Sequence, residues 1–174
     1  MNCNVLITEE YQWRKISRNK IDIFFKGCLD HTCIDVLFSL PFKDDVFIQQ
    51  YINTININFA IVISAENFCI MVVDKIRSIP IVYTNISDVW YVDCRSSTIL
   101  ELTSEIKIDK SSALSVAMSG YTTGDNTIFE SIKSLMAGQL VVLRSLCSIK
   151  KIQYYQYLPK PIINYNKAHL ELEL

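Results

Sequence analysis

The residues best suited to chemistry stand close together at Cys28-Leu-Asp-His31-Thr-Cys33. A thiol beside an imidazole could form a nucleophilic pair, and two thiols with a histidine could be part of a metal site. A metal site of this kind needs a second pair of ligands, but the six cysteines of the chain form no CxxC pair. Cys28 and His31 also lie in a segment that passes from strand to loop, so they need not face each other. We therefore expect free thiols that pack as small hydrophobic groups, and no metal.

The composition narrows the class of protein. The chain has 174 residues, which suits one domain, and 50% of them are hydrophobic, enough for a sizeable core. The net charge of −1 favours neither nucleic acid nor an anionic membrane as a partner, and no GxGxxG or GxxxxGK[ST] phosphate loop is present. The N-terminus has no signal-peptide pattern, and Glu66 and Asn67 interrupt the most apolar region. We therefore expect a cytoplasmic protein without a membrane span.

Strand patterns dominate the elements that must position these residues. Runs rich in Val, Ile, Phe and Tyr predict strands at 4–8, 21–26, 59–64, 68–74, 79–84, 89–93, 139–145 and 148–157. Between 59 and 93 the runs are separated by short polar breaks, which predicts an antiparallel meander.

Helical patterns are fewer. One helix is predicted to begin at Asp44 or Asp45, because the apolar residues that follow fall on one helical face. A second is predicted over 113–118, and a third over 127–138, where a T-x-x-E capping box leads an apolar stripe. Two antiparallel sheets with helices packed outside would bury this much Ile and Val, so the elements predict an α+β sandwich.

The stretch VVDKIRSIPIVY at 72–83 places charges between two apolar strands. It resembles the D-R-x-x-x-x-P-L-Y-Y motif of class II glutamine amidotransferase domains, and in particular the N-terminal domain of the asparagine synthetase family. The matching residues are Asp74, Arg77 (or Lys75), Pro80 and Tyr83. Polar side chains at such a turn bond backbone groups and each other, so we expect Asp74 and Arg77 to be structural.

Two further motifs are similar to this family. GYTTGDNTIFESIKSLMAG at 120–138 matches its G-Y-x-x-G-x-x-T-I-F-x-x-I-x-x-L-x-x-G in spacing, and NFAIVI at 58–63 matches its G-x-F-A-x-x-I without the glycine. The resemblance implies an N-terminal-nucleophile hydrolase fold, a four-layer αββα sandwich. It implies one domain over 1–158, with 159–174 as a linker or the start of a following synthetase domain.

The resemblance also implies a chemistry. The family's glutaminase uses an N-terminal cysteine, whose thiolate attacks the glutamine amide while its own α-amino group acts as base. Here Met1 and Asn2 precede Cys3, so Cys3 could serve only after two residues are removed.

The other parts of the family's site are altered. Its N-G-E motif corresponds to Lys26-Gly27-Cys28, in which Lys26 could still offer donors to an oxyanion but Cys28 cannot pair the substrate ammonium. Its substrate-binding aspartate corresponds to Asp44 or Asp45, which would serve equally well as helix caps. Lys26, Gly27, Asp44 and Asp45 are therefore the candidate substrate-binding residues of the chain.

The resemblance leaves two functions open. One is a degenerate amidotransferase-like domain that hydrolyses no glutamine and serves as a scaffold or homodimerisation unit for an ATP-dependent, amide-forming synthetase domain, fused or separate. ATP and magnesium would then belong to that partner, and this chain would hold no cofactor. The other is a working domain that uses Cys3 to release ammonia from glutamine. If the motif matches are accidental, the chain is an unrelated β-rich binding protein.

Overall fold

The computed structural model describes residues 2–103, 105–145 and 148–157. The strands are β1 Cys3–Val5, β2 Arg14–Arg18, β3 Ile21–Gly27, β4 Phe59–Ala65, β5 Phe68–Val73, β6 Val82–Ile86, β7 Val89–Asp93, β8 Lys133–Ser134, β9 Gln139–Ser145 and β10 Ser148–Gln153. The helices are α1 His31–Ser39, α2 Asp45–Thr54, α3 Ser96–Leu100 and α4 Lys110–Ser119, with a 3₁₀ turn at Glu9–Tyr11. Within these described ranges, no helix is both long and apolar enough to cross a bilayer.

The strands form two sheets. The large sheet has six antiparallel strands in the order β10-β9-β5-β4-β3-β2. The small sheet has four strands in the order β1-β7-β6-β8, and its edge strand β1 runs parallel to β7. Both sheets therefore place strands side by side that are distant in the sequence.

Strand β4 shows how the layers are joined, because its successive side chains enter two different cores. Ile61 and Ile63 pack on one face of the large sheet, in the same cluster as Ile34 of α1 and Ile48 of α2. Ala60, Val62 and their neighbours on β5 pack on the other face, against the small sheet. A strand buried on both sides is continuously hydrophobic, as this one is.

A third, smaller core lies on the outer face of the small sheet. There Val82 of β6 and Ile132 are buried with Ile99 of α3. The order of layers is thus helices, large sheet, small sheet and helix. The α+β fold and the αββα arrangement expected from the sequence are confirmed.

Two details of the prediction are wrong. The hairpins β4–β5 and β6–β7 form, but β5 and β6 belong to different sheets, so the expected meander is broken by residues 74–81, which cross between the sheets. Residues 127–138 form no helix, because Ile132 and Leu135 are buried in different cores. A single helical face could not deliver both side chains. The proposed linker at 159–174 lies outside the described residues.

Candidate functional site

The candidate nucleophile Cys3 lines a polar cavity of about 510 Å³. The cavity opens at the end of the sandwich where the β2–β3 and β4–β5 hairpins turn, next to the start of β1. Its walls are polar or charged for the most part and are formed by Asn2, Cys3, Asn4, Lys20, Asp22, Ser64, Ala65, Glu66 and Val89. Cys3 itself is half-buried and pairs with Trp90 in the neighbouring strand.

The thiol of Cys3 belongs to a pair that joins the two sheets. A hydrogen bond with the Cys69 thiol lowers the pKa of Cys3, and this effect outweighs burial, which raises it. The same hydrogen bond, together with complete burial, raises the pKa of Cys69 well above its ordinary value. Cys3 is therefore the better nucleophile of the two, because the thiolate is the reactive form.

The second part of the predicted site is not close to Cys3. Cys3 is beside the rung of the large sheet that contains Asp22, Ser64 and Cys69, whereas Gly27 pairs with Phe59 at the far end of β3. Five residues of extended chain separate Asp22 from Gly27, which is roughly 16 Å at a rise of about 3.3 Å per residue. An oxyanion donor must lie within about 3 Å of the reacting atom, so Lys26 and Gly27 do not form a site with Cys3.

Gly27 has a structural explanation of its own. Its φ is +108°, and a Cβ at this position would lie 2.2 Å from the carbonyl oxygen of Asn58. The same carbonyl accepts a hydrogen bond of 3.0 Å from Cys28. Only glycine permits this close approach, which brings the end of β3 against the start of β4.

The two predicted acidic residues lie on the opposite face of the large sheet from Cys3. Asp44 caps α2 by accepting a hydrogen bond of 2.9 Å from the backbone of Val46. Asp45 pairs with Arg144 and, at 2.8 Å, with Lys150. Burial raises the pKa of Asp45, but the hydrogen bonds from Lys150 and Arg144 outweigh it and lower the pKa overall.

The Cys28–His31–Cys33 cluster is dispersed around the start of α1. Asp30 caps that helix by accepting a hydrogen bond of 2.8 Å from the backbone of Cys33. Burial, and then Asp30, raise the pKa of Cys33, which disfavours its thiolate. In residues 2–103, 105–145 and 148–157, no three His, Cys, Asp or Glu side chains lie together as metal ligands would.

The Asp74 motif organises the crossing between the sheets. The buried Asp74 carboxylate accepts hydrogen bonds from the backbone N–H groups of Phe59 at 3.1 Å, Ile76 at 2.9 Å and Ser78 at 3.2 Å. Arg77 does not pair with it. Instead the Arg77 guanidinium donates to the carbonyl of Leu135 at 3.3 Å. Both residues are structural, as expected from their position at a turn.

The charged residues of the cavity beside Cys3 carry no distinctive pattern in the sequence. Lys20 and Glu66 lie in hairpin turns, where charged residues are common and give no specific signal. The one hint is topological, because turns at the same end of adjacent hairpins meet in space.

Comparisons with known proteins reveal a likeness of fold. No protein-family model matches the chain, and no curated protein matches it. Among solved structures, the chain is similar to the glutamine phosphoribosylpyrophosphate amidotransferase from B. subtilis, complexed with ADP and GMP, with 11% identity and a TM-score of 0.48. The alignment covers 82% of this chain but only 31% of that chain, so this chain spans less than a third of that protein. The likeness is one of fold alone.

Proposed function

We propose that the chain is an amidotransferase-like domain, related to the N-terminal domain of asparagine synthetases, that does not hydrolyse glutamine. Its role is to act as a scaffold for an ATP-dependent synthetase domain that forms amides. As a homodimer, it would bring two such domains together. The observation that carries this proposal is the separation of Cys3 from Lys26 and Gly27 by most of the length of β3.

Two requirements of glutaminase chemistry support this proposal. A tetrahedral intermediate needs preorganised donors beside the nucleophile, and an N-terminal nucleophile needs a free α-amino group. In the sequence, the nitrogen of Cys3 is an amide joined to Asn2. Asp45, a candidate for binding the substrate amine, is already paired with Arg144 and Lys150.

The residues that carry the family resemblance support a scaffold instead. Asp74 and Gly138 are joined by a hydrogen bond of 2.9 Å, which ties the crossing between the sheets to the start of β9. Helix α4 also exposes Leu114 and Met118, which are four residues apart on one helical face, and Tyr121 is exposed just after the helix ends. Exposed apolar stripes are typical of surfaces that pack against another protein.

The test is to incubate the purified full chain with glutamine and to measure glutamate release. We expect the wild type to match the Cys3→Ala variant, with Cys28→Ala as a control for an exposed thiol. Turnover that Cys3→Ala abolishes and Cys28→Ala retains would overturn the proposal.

A second candidate function, an active glutaminase, is favoured by one observation. Cys3 opens onto a cavity of about 510 Å³, and its pKa is lowered. This function requires that processing expose Cys3 as the first residue. The intact mass and the N-terminal residue of the protein from its native cell decide between the two. A chain that begins at Cys3 favours the glutaminase, and a chain that retains Asn2 excludes it.

The partner is tested separately. In this proposal, ATP and magnesium bind to the synthetase domain. The same proposal makes the protein cytoplasmic. Affinity purification of the native protein should recover an adenylating synthetase domain, either in the same polypeptide or bound to it. Recovery of the chain without such a domain would refute the scaffold role.

A further inference from the structure

A second cavity, of about 270 Å³, lies between the edges of the two sheets, and its wall includes Trp90, the strand partner of Cys3, but not Cys3 itself. Strands β6, β7 and β8 of the small sheet form one side, and β10 of the large sheet forms the other. Its walls include Tyr83, Trp90, Lys133, Ile149 and Lys151. No residue of the proposed glutaminase site belongs to it.

Two buried hydrogen-bond donors line this cavity without a partner. Tyr83 is 1% exposed and Trp90 is 9% exposed, and their rings pack with centroids 6.1 Å apart. Within the described residues, neither the Tyr83 O–H nor the Trp90 indole N–H has an acceptor. The Lys151 ammonium lies beside the Tyr83 hydroxyl, but an ammonium can only donate, so it leaves that O–H unpaired. A buried donor without an acceptor has lost its hydration and gained nothing in return, so such groups call for an explanation.

Two lysines add positive charge to the same walls. Lys133 donates a hydrogen bond of 2.8 Å to the side chain of Asn126, and Lys151 pairs with Asp125. An ammonium has three donors, so each lysine keeps donors for a further partner. Asp125 balances the charge of Lys151. Lys133 forms no ion pair within the described residues, although its charge acts on the Asp109 carboxylate at longer range.

We propose that this cavity is a binding site for a small organic monoanion, namely a short carboxylate. A carboxylate is an acceptor only, and the unpartnered groups of the walls, the Tyr83 hydroxyl and the Trp90 indole, offer donors. The single charge of a carboxylate matches Lys133, the lysine of the walls that forms no ion pair within the described residues. Ile149 and the ring of Trp90 supply the apolar surface for a short hydrocarbon group.

Nuclear magnetic resonance of the full chain tests the proposal, because the protein has two tryptophans. Acetate is the probe, and inorganic phosphate is the comparison. We expect acetate to shift the indole N–H signal of Trp90 with saturation in the millimolar range, and to leave Trp13 in place. The Trp13→Phe variant assigns the two signals. Saturation at Trp13 alone, at neither indole, or with phosphate only would overturn the proposal.

Neighbouring lysines on β10 provide a matched pair of variants. Lys151→Met removes an ammonium from the cavity, whereas Lys150→Met removes one from the opposite face of the same strand. We expect Lys151→Met to weaken acetate binding by about tenfold, which is about 1.4 kcal/mol, and Lys150→Met to leave it unchanged. Equal affinities for the two variants would contradict the proposal.

A third variant should strengthen binding. Asp125→Asn removes the carboxylate that balances Lys151, so the net charge around the cavity becomes more positive by one. We expect acetate affinity to rise several-fold. A fall in affinity while the thermal midpoint is unchanged would also overturn the proposal. The midpoint is measured for every variant to separate binding from folding.

Discussion

The carboxylate of Asp74 accepts a hydrogen bond of 3.1 Å from the backbone N–H of Phe59, and so fastens the end of β5 to the start of β4. Its other oxygen accepts from Ile76 and Ser78. An amide has only one acceptor oxygen, so Asp74→Asn must leave a buried donor unpaired. We expect this variant to lose about 2–4 kcal/mol of unfolding free energy, measured with urea. Ser78→Ala removes one hydroxyl and should cost about 1 kcal/mol. A loss for Asp74→Asn no larger than for Ser78→Ala would refute the role of Asp74.

Gly27 gives a stability prediction that separates crowding from backbone strain. Gly27→Ala places a Cβ against the Asn58 carbonyl, and should cost more than about 3 kcal/mol. Gly120 also has a positive φ, of +82°, but a Cβ added there would meet no atom within 4 Å, so Gly120→Ala should cost only about 1 kcal/mol. Thermal unfolding of both variants measures the difference. Equal losses would mean that the approach of Asn58 is not tight.

The pairing of Cys3 with Cys69 predicts a specific order of thiol reactivity. Iodoacetamide should modify Cys3 while Cys69 stays protected, because Cys69 is fully buried and has a raised pKa. Cys69→Ala removes the hydrogen bond that lowers the pKa of Cys3, so modification of Cys3 near neutral pH should become slower. Cys69→Ser keeps a donor and should preserve the rate. Mass spectrometry of the modified peptides gives the rates across a pH series. A faster reaction of Cys3 in Cys69→Ala would contradict the assignment.

Asp45 predicts part of the acid sensitivity of the protein. Its pKa is lower in the folded chain than the value of about 3.9 in an unfolded one, so its contribution to stability is present above about pH 4. That contribution is lost as the pH falls through the folded-state pKa. Asp45→Asn should therefore lose less stability than the wild type between about pH 5 and about pH 3. Asp88→Asn, at an exposed turn position with no ion pair among the described residues, should follow the wild type. Parallel pH profiles for the wild type and Asp45→Asn would refute the prediction.

The core strands can be predicted from the sequence because local composition decides them. Strands β4 and β5 are buried on both faces, and their unbroken runs of Val and Ile indicate this directly. Edge strand β2 escapes prediction, because its RKISR sequence is exposed and charged and its pairing with β3 is what makes it a strand. Helix α1 escapes it too, since its β-branched and cysteine residues resemble a strand until the Asp30 cap is recognised.

The candidate site is harder to predict than the fold. Motif matching places Cys3, Lys26 and Asp45 in one site, but their separation depends on strand direction and on which face of a sheet each side chain occupies. The cavity between the sheet edges has no signal in the sequence at all. Tyr83 matches a family motif, and its position beside Lys151 arises only because β6 and β10, which are far apart along the chain, face each other across the gap.

Strand β9 lies between β5 and β10 in the large sheet, although three strands of the small sheet separate β5 from β9 in the sequence. During synthesis, β5 and all four strands of the small sheet are therefore made before β9, the final neighbour of β5, exists. Until residue 139 is made, β5 presents an open edge of Val, Met and Ile with unpaired backbone groups, which is the kind of edge that recruits other chains. The closing β9–β10 hairpin is thus a guard against aggregation, and a ribosome that stalls before it would release a chain prone to self-association.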